Sequence, residues 1–251
     1  MDATITIPSR FCGPPSSANG GYSCGVTALA RTDGPATVML RRPPPLDRPL
    51  RVQRTREGVT LHDRDNLVAE GRGTDDAIAP PPPVTYDSAQ RAAEQFDLDH
   101  YAEEHAFPTC FTCGPARHDG DGLRVFPAAT GRRDRLVVWP WVPEPSVADE
   151  DGLVLGTVIW AVLDCPGGWA WTDTTQPFPP PAVLGRMTAT IHRRPNIGEQ
   201  LVVAGWPITA NGRKRLSGSV VWSANGTVLA ASEATWVVLE RAQRDAFGVT
   251  G

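Results

Sequence analysis

Two stretches far apart in the chain carry one pattern. Residues 38–50 read VMLRRPPPLDRPL and residues 190–201 read TIHRRPNIGEQL. Each is an alternating strand that runs into Arg-Arg-Pro, then a turn, then a second strand opening with Leu. Upstream of each lies an apolar, glycine-bearing helix start: SSANGGYSCGVTALA in the first half and LVLGTVIWAVLDC in the second. Downstream lie NLVAEG and TVLAA, each a turn followed by a short strand. One unit, an apolar helix and then an antiparallel meander, is therefore written twice. Strands are expected at 186–194, 200–209, 213–223 and 228–239, with NIGE, TANG and SANG as the turns between them. A repeat of this kind predicts a two-fold arrangement within one chain.

Four consecutive prolines, Pro80 to Pro83, separate the copies. They exclude helix and sheet interior and favour an extended spacer. After them Ser88 can cap a helix, SAQRAAEQFDLDHYAEEH, with Ala92, Phe96 and His100 on one face. The resulting division is a short first domain at 1–75, a proline-rich linker with its helix at 76–105, a second domain at 106–240 and a tail at 241–251. The composition, 41 % apolar and 21 % charged, is that of a chain able to bury a core. A net charge of −4 gives no overall attraction for phosphate backbones, so no nucleic-acid partner is expected. The start MDATITIPSRF lacks a basic segment followed by an apolar one, and the apolar run 153–163 is too short to span a bilayer. A cytoplasmic protein without a membrane partner is the expectation. Five cysteines, odd in number and scattered, suit reduced thiols better than a disulfide framework.

The string RPNIGEQL followed by NGRKRLSGSVVWSANGTVLAASEATW resembles the second half of a hotdog-fold acyl-CoA thioesterase. CFTCGPARHDGDGLRVF, residues 110–126, resembles the start of many such domains. The likeness covers most of the second half and less of the first. It implies an α+β double hotdog, two tandem helix-wrapped antiparallel sheets forming a pseudo-dimer.

In one branch of that superfamily the helix opens His-Gly-Gly, an Asp follows nine residues after the His, and each site takes its helix start from one subunit and its Asp from the other. Here Asn19-Gly20-Gly21 matches the opening, with Asn for His, and the acid position is Ala28. In the second half Asp164 matches the acid, while the opening is Leu155-Gly156-Thr157. Each half holds what the other lacks. The resemblance thus implies one composite site, with the Gly21 N–H, and that of Tyr22 beside it, polarising a thioester carbonyl. Asn19 would cap the helix or orient water, and Asp164 would serve as general base or nucleophile. Gly20, Tyr22, Trp160, Gly156 and Arg213 are expected at the substrate. The Arg213-Lys214-Arg215 and Arg132-Arg133 clusters could meet coenzyme A phosphates or be solvated surface charge. The bland alternatives are a turn and helix cap at Asn19-Gly20-Gly21, and a helix-end acid at Asp164.

Cys110 and Cys113 have the spacing of a metal knuckle, with His105, His118 and Cys165 as further candidates. No second CxxC or HxxxH exists, so no metal is expected. A P-loop and a dinucleotide fingerprint are absent. An enoyl-thioester hydratase would need an Asp-x-x-x-x-His pair at a helix start, and none is found. The expected function is hydrolysis of acyl-CoA or a related acyl thioester, with coenzyme A as part of the substrate and no separate cofactor. The alternative is a non-catalytic acyl-thioester-binding protein of the same fold. Two such chains could further pair as a homodimer.

Overall fold

The computed structural model describes residues 3–31, 34–132, 134–172 and 178–249, so Arg133 lies outside the described residues. The first half contains β1 (Ala3–Thr6), α1 (Gly20–Leu29), β2 (Ala36–Leu40), β3 (Pro49–Arg54), β4 (Val59–Asp63) and β5 (Asn66–Gly73). Two linker helices follow, α2 (Tyr86–Glu94) and α3 (Leu98–Glu104). The second half contains β6 (Ala128–Ala129), β7 (Val137–Trp141), α4 (Gly156–Val162), α5 (Cys165–Trp169), β8 (Ala182–Ile191), β9 (Leu201–Asn211), β10 (Lys214–Ser223), β11 (Val228–Val238) and a terminal α6 (Arg241–Ala246). Among the described residues no helix is long and apolar enough to cross a membrane.

All strands join one antiparallel sheet in the order β1-β3-β4-β5-β2-β8-β11-β10-β9-β7-β6. Read outward from its middle, the first half runs β2, β5, β4, β3, β1 and the second runs β8, β11, β10, β9, β7. The two orders match element for element, which is the repeat seen in sequence. The halves meet where β2 pairs with β8, Ala36 opposite Ala189 and Met39 opposite Arg186. At that seam the buried hydroxyls of Thr37 and Thr188 lie 2.8 Å apart and satisfy each other, as buried polar groups must.

The helices α1 and α4 pack on one face of the sheet and cross each other antiparallel. Residue pairs fix this direction. A Cβ on Gly21 would stand 2.6 Å from Asp164 Cβ, one on Gly25 2.8 Å from Trp160 Cβ, and one on Gly156 2.8 Å from Leu29 Cδ1. Glycines one turn apart thus let the backbones touch. The N-terminus of α1 therefore abuts the C-terminal end of α4.

The second half of the sheet is covered on both faces. Strand alternation sends Leu201, Val203 and Val221 toward α1 and α4. It sends Val202, Ala204, Val220 and Trp222 to the other side, under α2 with Ala89 at the contact. The linker helix expected from Ser88 onward is in fact two helices. Thr85 caps α2, whose Ser88 N–H donates to its side chain, and Asp97 caps α3. Ala89 and Phe96 anchor this segment; His100 is exposed, its ring set edge to face with that of Phe178.

Candidate active site

Asn19 is the N-cap of α1. Its side-chain oxygen accepts from Tyr22 N–H at 2.9 Å, satisfying one of the four amides that a helix start leaves over. Its amide nitrogen points the other way, 3.4 Å from Thr112 Oγ1 and 3.7 Å from Cys110 Sγ. Asp164 follows the last turn of α4, where the chain breaks before Cys165-Pro166. Its Oδ2 accepts from Gly21 N–H at 2.8 Å, across 143 residues of sequence. The carboxyl is 2 % exposed, and Oδ1 is buried with no partner among the described residues. An acid here sits at the negative end of α4 but also at the positive end of α1. Burial pushes its pKa up to about 8 and the Cys110 sulfur adds to this, while the Gly21 N–H and the nearby Asn19 side chain pull it down.

These residues wall a cavity of about 390 Å³. Asn19, Gly20 and Asp164 line it, with Leu184, Trp169 and Trp236 among its apolar walls. Arg41 and Arg42, from the first Arg-Arg-Pro, also line it. Arg41 is paired with Glu70; Arg42 has no ion pair among the described residues. In the second copy both arginines are neutralised, Arg193 by Glu199 at 3.0 Å and Arg194 by Asp149.

The structure thus brings together Asn19, Gly20, Gly21 and Asp164, and parts the other expected residues from the cavity. The Gly21 and Tyr22 amides expected to polarise a carbonyl are already taken, by Asp164 and by Asn19. Gly20 N–H, the first of the helix, has no intrahelical acceptor by position. Tyr22 is buried and stacks on Phe11, ring centroids 3.9 Å apart. Trp160 faces α1 as Asp164 does, but one turn farther from the helix start, so it packs at Gly25 and not in the cavity. Gly156 is covered by Leu29. Arg213 lies outside the wall, bound to Val238 O and to the side chain of Gln243, which does line the cavity.

Sequence reasoning missed Arg41, Arg42 and Leu184 as cavity residues. The repeated Arg-Arg-Pro was a signal for the first two, but that the second copy's arginines are both neutralised, one of them by Asp149 45 residues away, shows only in the fold. It also left the cysteines apart, whereas three of them meet. Cys110, Cys113 and Cys165 are all buried, with their sulfurs within 4.8 Å of one another. His105 joins them, Nε2 3.4 Å from Cys113 Sγ. His118 does not belong to this group. Removing the Asn19 side chain loses its cap, so Asn19→Ala is expected to cost about 1–2 kcal/mol, read as a shift in the urea midpoint.

Three solved structures place the fold. A protein with a hot dog fold from Alicyclobacillus acidocaldarius, of unknown function, superposes with a TM-score of 0.58 at 13 % identity, covering 95 % of this chain and 93 % of its own. A Novosphingobium aromaticivorans protein provisionally ascribed thioesterase activity gives 0.59 at 14 %, covering 95 % and 96 %. A Lactobacillus plantarum protein provisionally ascribed oleoyl thioesterase activity gives 0.58 at 8 %, covering 96 % of each chain. No protein-family model and no curated protein matches the sequence. The likeness over nearly the whole length identifies a double hotdog of the α+β class.

Proposed function

We propose that the chain hydrolyses an acyl thioester, with the acyl group or its carrier arm held in the cavity and Asp164 as the reacting carboxylate. The observation that carries this reading is the Asp164 carboxyl, buried, lining the cavity and anchored through one oxygen to Gly21 N–H. The anchored oxygen fixes the group, and once the carboxyl ionises, with its pKa pushed up to about 8, Oδ1 is the oxygen free to take a proton from water or to attack the carbonyl carbon. Gly20 N–H, at the positive end of α1, is the donor best placed by position for the carbonyl oxygen as it gains charge. The apolar walls suit an acyl chain. The thioesterase assignments of two of the structural relatives agree with this chemistry.

Acyl-CoA is the substrate class that would use Arg42. An exposed arginine at the cavity, with no ion pair among the described residues, can meet a phosphate. Arg42→Ala is expected to raise KM about two- to fivefold for a CoA thioester, the weight of an exposed ion pair of about 0.5–1 kcal/mol. KM for the matching N-acetylcysteamine thioester, which has no phosphate, should stay unchanged. Equal effects on both would remove Arg42 from carrier recognition.

The direct test is a panel of acyl-CoAs of increasing chain length, following thiol release. Turnover supports the hydrolase. The second reading, a non-catalytic binder, draws on the degenerate helix opening, Asn19 standing where the related branch has His. Saturable thermal stabilisation by the same panel without thiol release would favour it and overturn hydrolysis.

A further inference from the structure

We propose that Cys110, Cys113 and Cys165 form a three-thiolate site for a zinc ion. Nothing in the hydrolase reading requires a metal, so the two stand or fall separately. The sequence offered one CxxC and no second pair, which led to the expectation of no metal. The fold supplies the third thiol from α5, 55 residues away from Cys110.

The spacing of the sulfurs fits one ion. Four ligands around zinc at about 2.3 Å put neighbouring sulfurs about 3.8 Å apart in a tetrahedron. Cys110 Sγ and Cys165 Sγ are 3.7 Å apart, and all three sulfurs lie within 4.8 Å of one another. The backbone holds them there without slack. The loop carrying the CxxC closes by Gly114 N–H donating to Cys110 O at 2.9 Å. A Cβ on Gly114 would stand 2.5 Å from both the N and the O of Cys110, so a side chain could not be added without opening the loop. On the other side Pro166, next to Cys165, rests directly on β9. A Cβ on Gly205 would meet the Pro166 carbonyl at 2.3 Å.

The surroundings suit metal-bound thiolates. Such sulfurs gain from N–H donors around them. Asn19 Nδ2 lies 3.7 Å from Cys110 Sγ. His105 accepts Phe107 N–H on Nδ1 at 2.9 Å, which leaves the proton of the neutral ring on Nε2, 3.4 Å from Cys113 Sγ. In this tautomer His105 donates to a thiolate and is not itself a ligand. The three cysteines and His105 all line the cavity, so a water or a thiol from it can take the fourth position. An all-sulfur donor set selects zinc and other soft ions over magnesium or calcium. The ion would tie the CxxC loop to α5, whose first residue follows Asp164.

The test uses the full chain, kept reduced and anaerobic. Zinc per chain is measured after dialysis against buffered Zn²⁺, and the metal-free protein is then titrated with Co²⁺. One equivalent of zinc and near-ultraviolet thiolate-to-cobalt charge-transfer bands are expected. Cys165→Ser should lose both, and Cys12→Ser, at a thiol outside the cluster, should keep both. The proposal is overturned if the reduced wild-type chain binds neither metal stoichiometrically. It is equally overturned if Cys165→Ser binds as the wild type does, or if the native thiols are recovered as a disulfide among these three. The wild-type cobalt spectrum decides the matter even if a variant fails to fold.

Discussion

Replacing Asp164 with Asn lowers kcat for thioester hydrolysis by about 10²- to 10⁴-fold, the usual weight of a positioned general base, and leaves Tm unchanged or higher. The two side chains have the same shape, and the Asn oxygen can still accept the Gly21 N–H that now binds Oδ2. What is lost is the second oxygen, because an amide NH₂ cannot accept a proton from water. Stability should not fall, because burial already drives this carboxyl toward its neutral form, with a pKa of about 8, and the amide is neutral at every pH. The check is kcat and Tm on the same preparation. Full activity in the variant would take Asp164 out of the chemistry, and a Tm lower by many degrees would make it a structural residue.

Gly21→Ala is the most destructive small change at the helix crossing. The added methyl would stand 2.4 Å from Trp160 O and 2.6 Å from Asp164 Cβ. The first of these is backbone, so no side chain can swing away to make room. The helices must separate, which both overpacks the core and pulls Asp164 from its amide. A loss of about 3 kcal/mol or more is expected, at or beyond the upper end for overpacking, together with loss of turnover. Urea denaturation checks this; an unchanged midpoint with an unchanged slope would mean that the crossing is looser than the contacts indicate.

Strands and turns were legible in sequence because they depend on neighbours along the chain. The expected strand at 200–209 is β9 at Leu201–Asn211, and that at 213–223 is β10 at Lys214–Ser223. The linker helix was readable but not its break, because Asp97 can cap α3 only once the chain has turned at Gln95. The meeting of Asn19 and Gly21 with Asp164 followed from a resemblance, and one-dimensional pattern could not have supplied it. The use of the Gly21 amide was misread for a related reason. Whether an N–H at a helix start is free depends on what the opposite helix delivers there, and α4 delivers a carboxylate. Trp160 was misplaced because its helical spacing from Asp164 gives the shared face and not the distance from the end of α1. The thiol cluster escaped notice because Cys165 reaches the CxxC through the fold alone.

The linker that joins the two halves into one chain frees each half from copying the other. In an assembly of two identical chains every side chain occurs at both ends of the helix crossing, so whatever suits one end must be tolerated at its image. Here the residue after the acid position is Cys165 at one end and Leu29 at the other. Cys165 turns its sulfur to two others, while Leu29 fills the space over Gly156. A polar, reactive end and an inert, packed end could not both be encoded by one repeated sequence.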